Sequence, residues 1–488
     1  MNREPRNPVP NLPTSSNYIL FSDVHLGADL VQHVRPWTLS KLKQIAKIDR
    51  DLCAMLEWYR EHAEPGRPWK LVIAGDLVDF IGMSIAPAEG LEEELSEEER
   101  RLGLGSTFGQ ATAKMRAVAT RHAQVFDRLS AFLAEGHHLI IIRGNHDVDF
   151  HWEGTRDAFV EAVIERAPEG DALRAAMAAR IEFYPWFYYE EGLLYVEHGH
   201  QFDAMCNYHH LLSPVSPGDP KRISWSFSDI LLRSVVRPTR GLFSEGSETR
   251  GLFGYLRLAL SLGIMGALRL GYRYMVATLR ALGRWRAHLS EAAHALREEH
   301  DRRLEELAGR MRLRVEKLRA LSALWPTPVT RGLLAVLRSM FLDRLLLGVL
   351  STLFVVLMLA LSPIAIALPL VLIALLGTGL FFAWSGRMRP HDLQPAARMQ
   401  RAASRIAELL PSRFVVMGHT HEPILAPMGD RTTYVNLGNW GSDEIDDTRE
   451  GANDASRTHL VIRWIDDHPV AEFLRWIPGK GPRPHDEH

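Results

Sequence analysis

Five short clusters carry the residue types and spacings that could do chemistry: Asp23-Val24-His25, Gly75-Asp76-Leu77-Val78-Asp79, Gly144-Asn145-His146-Asp147, His198-Gly199-His200 and Gly418-His419-Thr420-His421. Singly each is weak, because a carboxylate or histidine after a strand is commonly a polar turn satisfied by its own backbone. In order they supply carboxylate, imidazole and amide oxygen without a thiolate, a donor set that suits Mn, Fe or Zn better than Ca or Cu(I). A carboxylate between two such sets can bridge two divalent ions about 4 Å apart, as in-line displacement at phosphorus requires. Water shared by two such ions loses a proton near neutral pH, so the chemistry expected is in-line attack of a metal-bound hydroxide. HGH offers two histidines: His198, which directly follows an apolar run and precedes a glycine, is preferred as ligand, with His200 left on the substrate side or behind the ligands.

These clusters need elements to position them. The runs at 18–22, 70–74, 138–143 and 193–197 read as strands, each ending at a polar cluster, and 107–135 reads as one long crossover helix. Strands alternating with helices predict an α/β core whose ligands gather at the carboxyl ends of the strands. From about 206 to 400 the chain turns Arg- and Leu-rich with helical spacing, and after 401 strands return at 414–417 and 433–437, with a hairpin about Asp466–Pro469. The aromatic segment 181–191 reads as strand-like core or inter-sheet packing. The economical organisation is an α/β domain interrupted by a helical insertion.

The ordered set resembles the calcineurin-like metallophosphoesterase family, whose pattern is DxH, GDxxD, GNH(D/E), an isolated His and GHxH; the likeness covers 17–205 and 401–478. It implies a two-sheet α/β/β/α sandwich with a di-metal centre between the sheet ends, Mn favoured. By that likeness Asp23, His25, Asp76 and His421 would hold one ion, while Asp76 would bridge to a second held by Asn145, His198 and His419. His146 would stabilise phosphoryl oxygens or protonate the leaving oxygen. Asp79 would orient an imidazole, and Asp147 would lie behind the ligands or on the substrate side. Among relatives the nearest in character are the UDP-2,3-diacylglucosamine pyrophosphohydrolases, from which this chain departs at His146 and at His198-Gly199-His200. The resemblance therefore carries the reaction class and not the substrate.

With 488 residues the chain exceeds the size at which single cores stop growing, and two cysteines exclude a disulfide framework or thiolate cluster. A net charge of −2 exerts no global pull on nucleic acid or anionic lipid. The first 16 residues lack a signal-peptide core and read as a loose tail that keeps the chain's start in the cytosol. Residues 345–386 form a run of 42 without Asp, Glu, Lys, Arg or His, long enough for two spans, with Ser362-Pro363 and Pro369 near its middle. Because DxH precedes the insertion and GHTH follows it, the number of crossings must be even. A transmembrane hairpin over 332–390 is expected, crossing fully or re-entrant. Arg269, Arg273, Arg280 and Arg284 fall near one face of a basic amphipathic helix, expected at the membrane surface. Residues 287–320 read as an exposed charged helix, and 479–488 as a tail.

These readings together predict a membrane-anchored di-metal phosphoesterase of bacterial inner-membrane type, facing the cytoplasm, with membrane lipid as partner and a phosphate ester or pyrophosphate, lipid-linked or free, as substrate. Two alternatives stand beside it: a non-catalytic membrane scaffold that kept the fold, and a nuclease of the same fold. The basic stretch adjoins apolar helices and not an aromatic-interleaved groove, so nucleic acid is not expected.

Overall fold

Successive side chains of a strand point to opposite faces, so a strand apolar at every position must be covered on both sides. Apart from Asn17, Lys70 and His138 near their starts, β1 (Asn17–Phe21), β2 (Trp69–Ala74) and β3 (His138–Ile142) are of this kind, and they pair in parallel. The computed structural model describes residues 16–485 apart from 32–38, 87–92, 240–261, 341, 388–393, 430, 442–455 and 467. The expected N-terminal tail thus lies almost wholly outside the described residues, as do Arg250 and Arg257 of the basic stretch.

Two sheets form the core. After β4 (Ile181–Tyr184), β5 (Phe187–Glu190), β6 (Leu194–Glu197) and the short ribbon β7 (Val215–Ser216) and β8 (Asp219–Ile223), the chain returns in β9 (Phe414–Met417), β10 (Pro423–Met428) and β11 (Thr432–Leu437). It finishes in β12 (Thr458–Ile465), β13 (His468–Ile477) and β14 (Gly481–Pro484). One sheet has the order β14-β13-β12-β1-β2-β3-β4 and the other β10-β11-β9-β6-β5. Tyr18, Leu20, Val72, Ile140 and Ile142 meet Val196, Val416, Val435 and Leu437 between the sheets. The alternate residues Ile19, Phe21, Leu71, Ile73 and Ile141 pack under helices, including Phe108–Arg121 and Ala123–Ala134. The expected α/β core and C-terminal hairpin are present, with strand bounds shifted by a residue or so.

Several expectations are corrected. The crossover expected as one helix over 107–135 is broken at His122, whose ring lies between Asp29 and Asp49, 2.9 Å from the latter's Oδ2. A straight helix could not turn that imidazole into both carboxylates. The 181–191 segment is two strands in different sheets, joined at Pro185-Trp186. The expected C-terminal tail contributes β14, paired antiparallel with β13. The insertion also holds the β7–β8 ribbon beside its helices.

The charged segment expected to be an exposed helix is instead the fourth layer of the sandwich. Leu304, Leu307 and Ala308 of helix Glu291–Arg310, with Leu318 and Leu321 of Val315–Ser322, pack beneath Phe187, Tyr195, Val415 and Tyr434 of the second sheet. Helix Gly263–Ala287 turns its basic side inward. Arg280 pairs with Glu98 at 2.5 Å, Arg284 donates to Ser216 Oγ at 2.7 Å, and Arg273 donates to Thr239 Oγ1 at 2.9 Å. Of the four arginines expected at the membrane surface, only Arg269 is exposed, while Ile264, Leu268, Tyr272, Met275 and Leu279 make an outward apolar stripe. The half-buried Glu98 and the hydroxyls of Ser216 and Thr239, all on neighbouring segments, receive the side that turns in.

The apolar block forms helices Leu342–Leu361 and Ile364–Arg387, joined at Ser362-Pro363, with Thr378 Oγ1 donating to Ser351 Oγ at 2.9 Å. Val336 and Met340 are buried in the insertion's own core, so the hairpin begins after them rather than at 332. Among the described residues no helix is long and apolar enough to cross a membrane. The side chains at 343–345, 365, 367 and 381–387 lie outside that description, and the expected transmembrane character is therefore not part of the observed fold. Leu307→Ala should cost about 2–5 kcal/mol in thermal or chemical unfolding because it opens the core under the second sheet. Leu350→Ala, at an exposed site on the hairpin, should stay within about 0.5 kcal/mol.

Candidate metal centre

All five clusters begin where a strand ends. Asp23 and His25 follow β1, Asp76 follows β2, Asn145 and His146 follow β3, His198 follows β6, and His419 and His421 follow β9. Those strands run parallel within each sheet, so their carboxyl ends open on a common edge. The turns there are sharp. Asp23, His25, Asp76, His419 and His421 all have φ between 55° and 70°, the left-handed region that costs a non-glycine residue about 1–3 kcal/mol. Hydrogen bonds hold them: Val24 and His25 N–H donate to the Asp76 carbonyl at 3.0 and 2.9 Å, and His419 N–H donates to Asp23 Oδ2 at 3.1 Å. The glycines before Asp76, Asn145 and His419 are required by close approach. A Cβ on Gly75 would lie 2.5 Å from the His198 ring, one on Gly418 2.5 Å from Asp23 Oδ2, and one on Gly144 would collide with Asp76 Oδ1.

Asp76 lies between two groups of ligand atoms. On one side His421 Nε2 is 3.1 Å from Asp23 Oδ1, and His25 Nε2 is 3.9 Å from both Asp23 Oδ1 and Asp76 Oδ2. On the other, His198 Nε2 is 3.2 Å from Asp76 Oδ2 and 3.1 Å from Asn145 Oδ1, while its Nδ1 is fixed by the Ala74 carbonyl at 2.8 Å. The His419 ring lies 5.3 Å from that of His198, with Nε2 3.2 Å from Asp203 Oδ2. His198 therefore faces the centre, as preferred. His200 is buried with neither ring nitrogen hydrogen-bonded, and burial with neighbouring imidazoles holds it neutral.

The donor set fits divalent ions. His25 Nε2 is buried without a hydrogen-bond partner yet points between two carboxylates, and the sulfur-free O/N atoms of the Asp76 groups match Mn, Fe or Zn. Burial alone would raise the Asp76 carboxyl, but His198, His146 and His25 hold it well below the usual range. Burial opposes a charge on His198 too, yet Asp76 and Asp23 push its pKa up to about 9.

His146 stands apart from the other imidazoles. Its Nδ1 is 2.8 Å from Asp79 Oδ1, its backbone N–H donates to Asp76 Oδ1 at 2.8 Å, and its ring meets that of His25 edge-on at 4.7 Å. Asp79 is held from behind by Gly82 N–H at 2.6 Å and Arg237 Nη2 at 3.3 Å. Despite burial, Asp79 and Asp76 raise the His146 pKa to about 10. Asp147 does not approach a substrate side: its carboxylate accepts Leu77 N–H at 2.8 Å and Gly144 N–H at 2.6 Å, bracing two ligand loops.

Three partners escaped the sequence reading. Asp203 holds His419, Arg237 holds Asp79, and Tyr208 donates to the Asn145 carbonyl at 3.3 Å and to Asp229 Oδ2 at 3.0 Å. Only Asp203 left a trace, as a carboxylate close after HGH. Its partner is 216 positions away, so no local spacing pointed to the pair.

Below about pH 9 an ion that takes His198 Nε2 must displace its proton, so binding releases protons and tightens as pH rises. Calorimetric titration of Mn into the chelated protein at pH 7, in buffers of different ionisation enthalpy, should show at least one proton released per protein. No release would mean that His198 is not a ligand.

Among known proteins, residues 17–240 match the family model for calcineurin-like phosphoesterases, a span that holds four of the five clusters and stops before His419 and His421. No curated protein matches the chain. The match does not single out the UDP-2,3-diacylglucosamine pyrophosphohydrolases. With the ordered ligand clusters at the shared edge of two sheets, the match makes residues 17–240 similar to the calcineurin-like phosphoesterases, a family of metal-dependent phosphoester hydrolases.

Proposed function

We propose that the chain hydrolyses a phosphate ester or pyrophosphate at a two-ion centre. Asp23, His25, Asp76 and His421 would hold one ion; Asp76, Asn145, His198 and His419 would hold the other. The observation that carries this reading is the position of Asp76, whose Oδ2 faces imidazoles of both groups. When bound, two divalent ions supply a hydroxide nucleophile at neutral pH and neutralise charge on the phosphoryl oxygens. The residues do the rest. Asp79 takes the Nδ1–H of His146 and keeps that imidazole charged, so its Nε2–H is available to the leaving oxygen. Arg237 and Gly82 fix the Asp79 carboxylate, so the imidazole keeps one orientation through the reaction.

Asp76→Asn should abolish turnover and metal loading together, measured by elemental analysis beside a phosphoester assay. Two ions bound with normal turnover would overturn the assignment. His146→Ala should keep its metal and lose about 10²–10⁴ in kcat. Asp79 raises the His146 pKa, so the alkaline limb of the rate profile marks loss of the His146 proton. Asp79→Asn should move that limb to lower pH by at least about one unit.

The same reading places the enzyme at a membrane, facing the cytoplasm, with a lipid-linked phosphoester among its substrates. Its support is an apolar exterior: Leu353, Leu361, Ile364, Ile373 and Leu376 are each at least 60% exposed on the helical pair, and the stripe from Ile264 to Leu279 adds a second apolar face. Exposed patches of that extent mark lipid or protein contact. Full-length protein should stay with membranes through high-salt and alkaline washes. A form lacking 342–390, rejoined by a flexible linker, should wash off yet still turn over a small soluble phosphoester. Release of the full-length protein by salt alone would end the membrane reading.

A further inference from the structure

Behind the Asn145 loop lies a cavity of about 550 Å³ that none of the metal-ligand candidates lines. Strands β3 and β4, the start of helix Glu153–Ile164 and insertion helix Glu291–Arg310 enclose it. Five arginines face it, Arg143, Arg156, Arg302, Arg303 and Arg310, against the carboxylates of Glu153 and Glu306. Arg302 is paired with Glu299 and Glu306, and Arg303 with Glu299. Among the lining residues five guanidinium groups face two carboxylates, with Glu299, Asp147 and Asp157 standing behind the wall.

Arg143 and Arg156 are the two lining arginines contributed by the hydrolase core. Arg143 is only 4% exposed; it donates through Nη2 to the Leu211 carbonyl, while its buried Nε has no hydrogen-bond partner. Arg156, half-buried, donates to the carbonyls of Phe150 and His151 at 2.7 and 2.8 Å. No carboxylate forms an ion pair with Arg143 or Arg156 among the described residues, and Asp147 acts on Arg143, as Glu153 and Asp157 do on Arg156, only from beyond ion-pair distance. A buried cation such as Arg143 without a direct anion is costly. The same cavity receives the first turn of helix Glu153–Ile164, whose N-cap residue Trp152 makes no side-chain capping bond, so its positive end adds to the field. His151, on the wall, is held neutral by burial and by Arg143, Arg303 and Arg156 and contributes no compensating charge. Trp152 and Tyr184 supply flat apolar surface on the cavity's flank, and the volume lies within the range of small-molecule pockets.

We propose that this cavity is a second ligand site, separate from the metal centre, for a phosphorylated small molecule of nucleotide size: phosphate toward Arg143, Arg156 and the helix N-terminus, planar part against Trp152 and Tyr184. The proposal is independent of the reaction assigned to the metal centre. Its occupant would be gripped from both the hydrolase core and the insertion, and Arg143 leads through Gly144 directly to Asn145.

AMP is the probe, titrated by calorimetry into the full chain carrying Asp76→Asn, so that the metal centre cannot consume it. One AMP should bind per chain, at least tenfold tighter than inorganic phosphate. Arg303→Gln and the exposed Arg310→Glu should each weaken AMP at least tenfold without moving the melting temperature by more than a few degrees. The proposal falls if AMP does not saturate, or if both variants bind it within twofold of the parent. Inorganic phosphate binding as tightly as AMP would remove the organic half of the proposal. The behaviour of Asp76→Asn toward phosphoesters tests the hydrolase reading alone, so the two failures are distinguishable.

Discussion

Asp76 is 1% exposed and ionised, so its charge must be met inside the protein. The groups that meet it come from separate parts of the chain: His25 from β1, the His146 backbone from the end of β3, and His198 from β6 in the opposite sheet. None can move far without leaving a buried carboxylate uncompensated. This requirement fixes the alignment of the two sheets, because β2 and β6 must end at one level for Asp76 and His198 to meet at 3.2 Å. The left-handed turns and the glycines at 75, 144 and 418 follow from the same demand, since the ligand backbones approach too closely for ordinary turns or an intervening Cβ. A divalent pair would meet the charges more strongly than imidazolium does, which gives the strained loops a purpose.

The insertion is bound into this arrangement and is not an appendage. Its helices Glu291–Arg310 and Val315–Ser322 join helix Pro395–Leu409 in covering the second sheet, so the insertion shares in burying the outer face of β6 and β9. It also reaches the ligands directly: Asp203, where the insertion begins, holds His419, where the chain has returned. Arg237 crosses from the insertion to Asp79 and thereby governs the imidazole it steadies. The metal centre and the insertion therefore fold as parts of one structure.

The sequence made the ligands legible because their chemistry repeats after every strand: a run of apolar residues, often a glycine, then a carboxylate or imidazole. Strands β1, β2, β3 and β9 were legible for the related reason that strands covered on both faces are continuously apolar. The partners were not legible where contacts join distant segments. Nothing near Asp203 announces His419, and nothing near Arg237 announces Asp79. Helical periodicity also misled in an instructive way. It placed Arg273, Arg280 and Arg284 together correctly but could not say which side faced water, because the deciding acid, Glu98, lies on another element. Of the two places open to Asp147, behind the ligands or on the substrate side, its oxygens are found behind them, both used by loop amides.

The reversal of helix Gly263–Ala287 has a physical logic that joins the two halves of the protein. A guanidinium turned inward is tolerable only where a carboxylate or several oxygens receive it, and Glu98, Ser234 and Ser216 do so. Having spent its cations on the core, the helix shows solvent a surface of Ile264, Leu268, Tyr272, Met275 and Leu279, which water penalises at about 25 cal/mol per Å². The pair Leu342–Leu361 and Ile364–Arg387 exposes the same kind of surface, and its closed turn at Ser362-Pro363 brings the chain back toward its point of departure. A hairpin that returns is the one arrangement that lets an apolar excursion interrupt the chain between His198 and His419 while leaving both histidines beside Asp76 and Asp203.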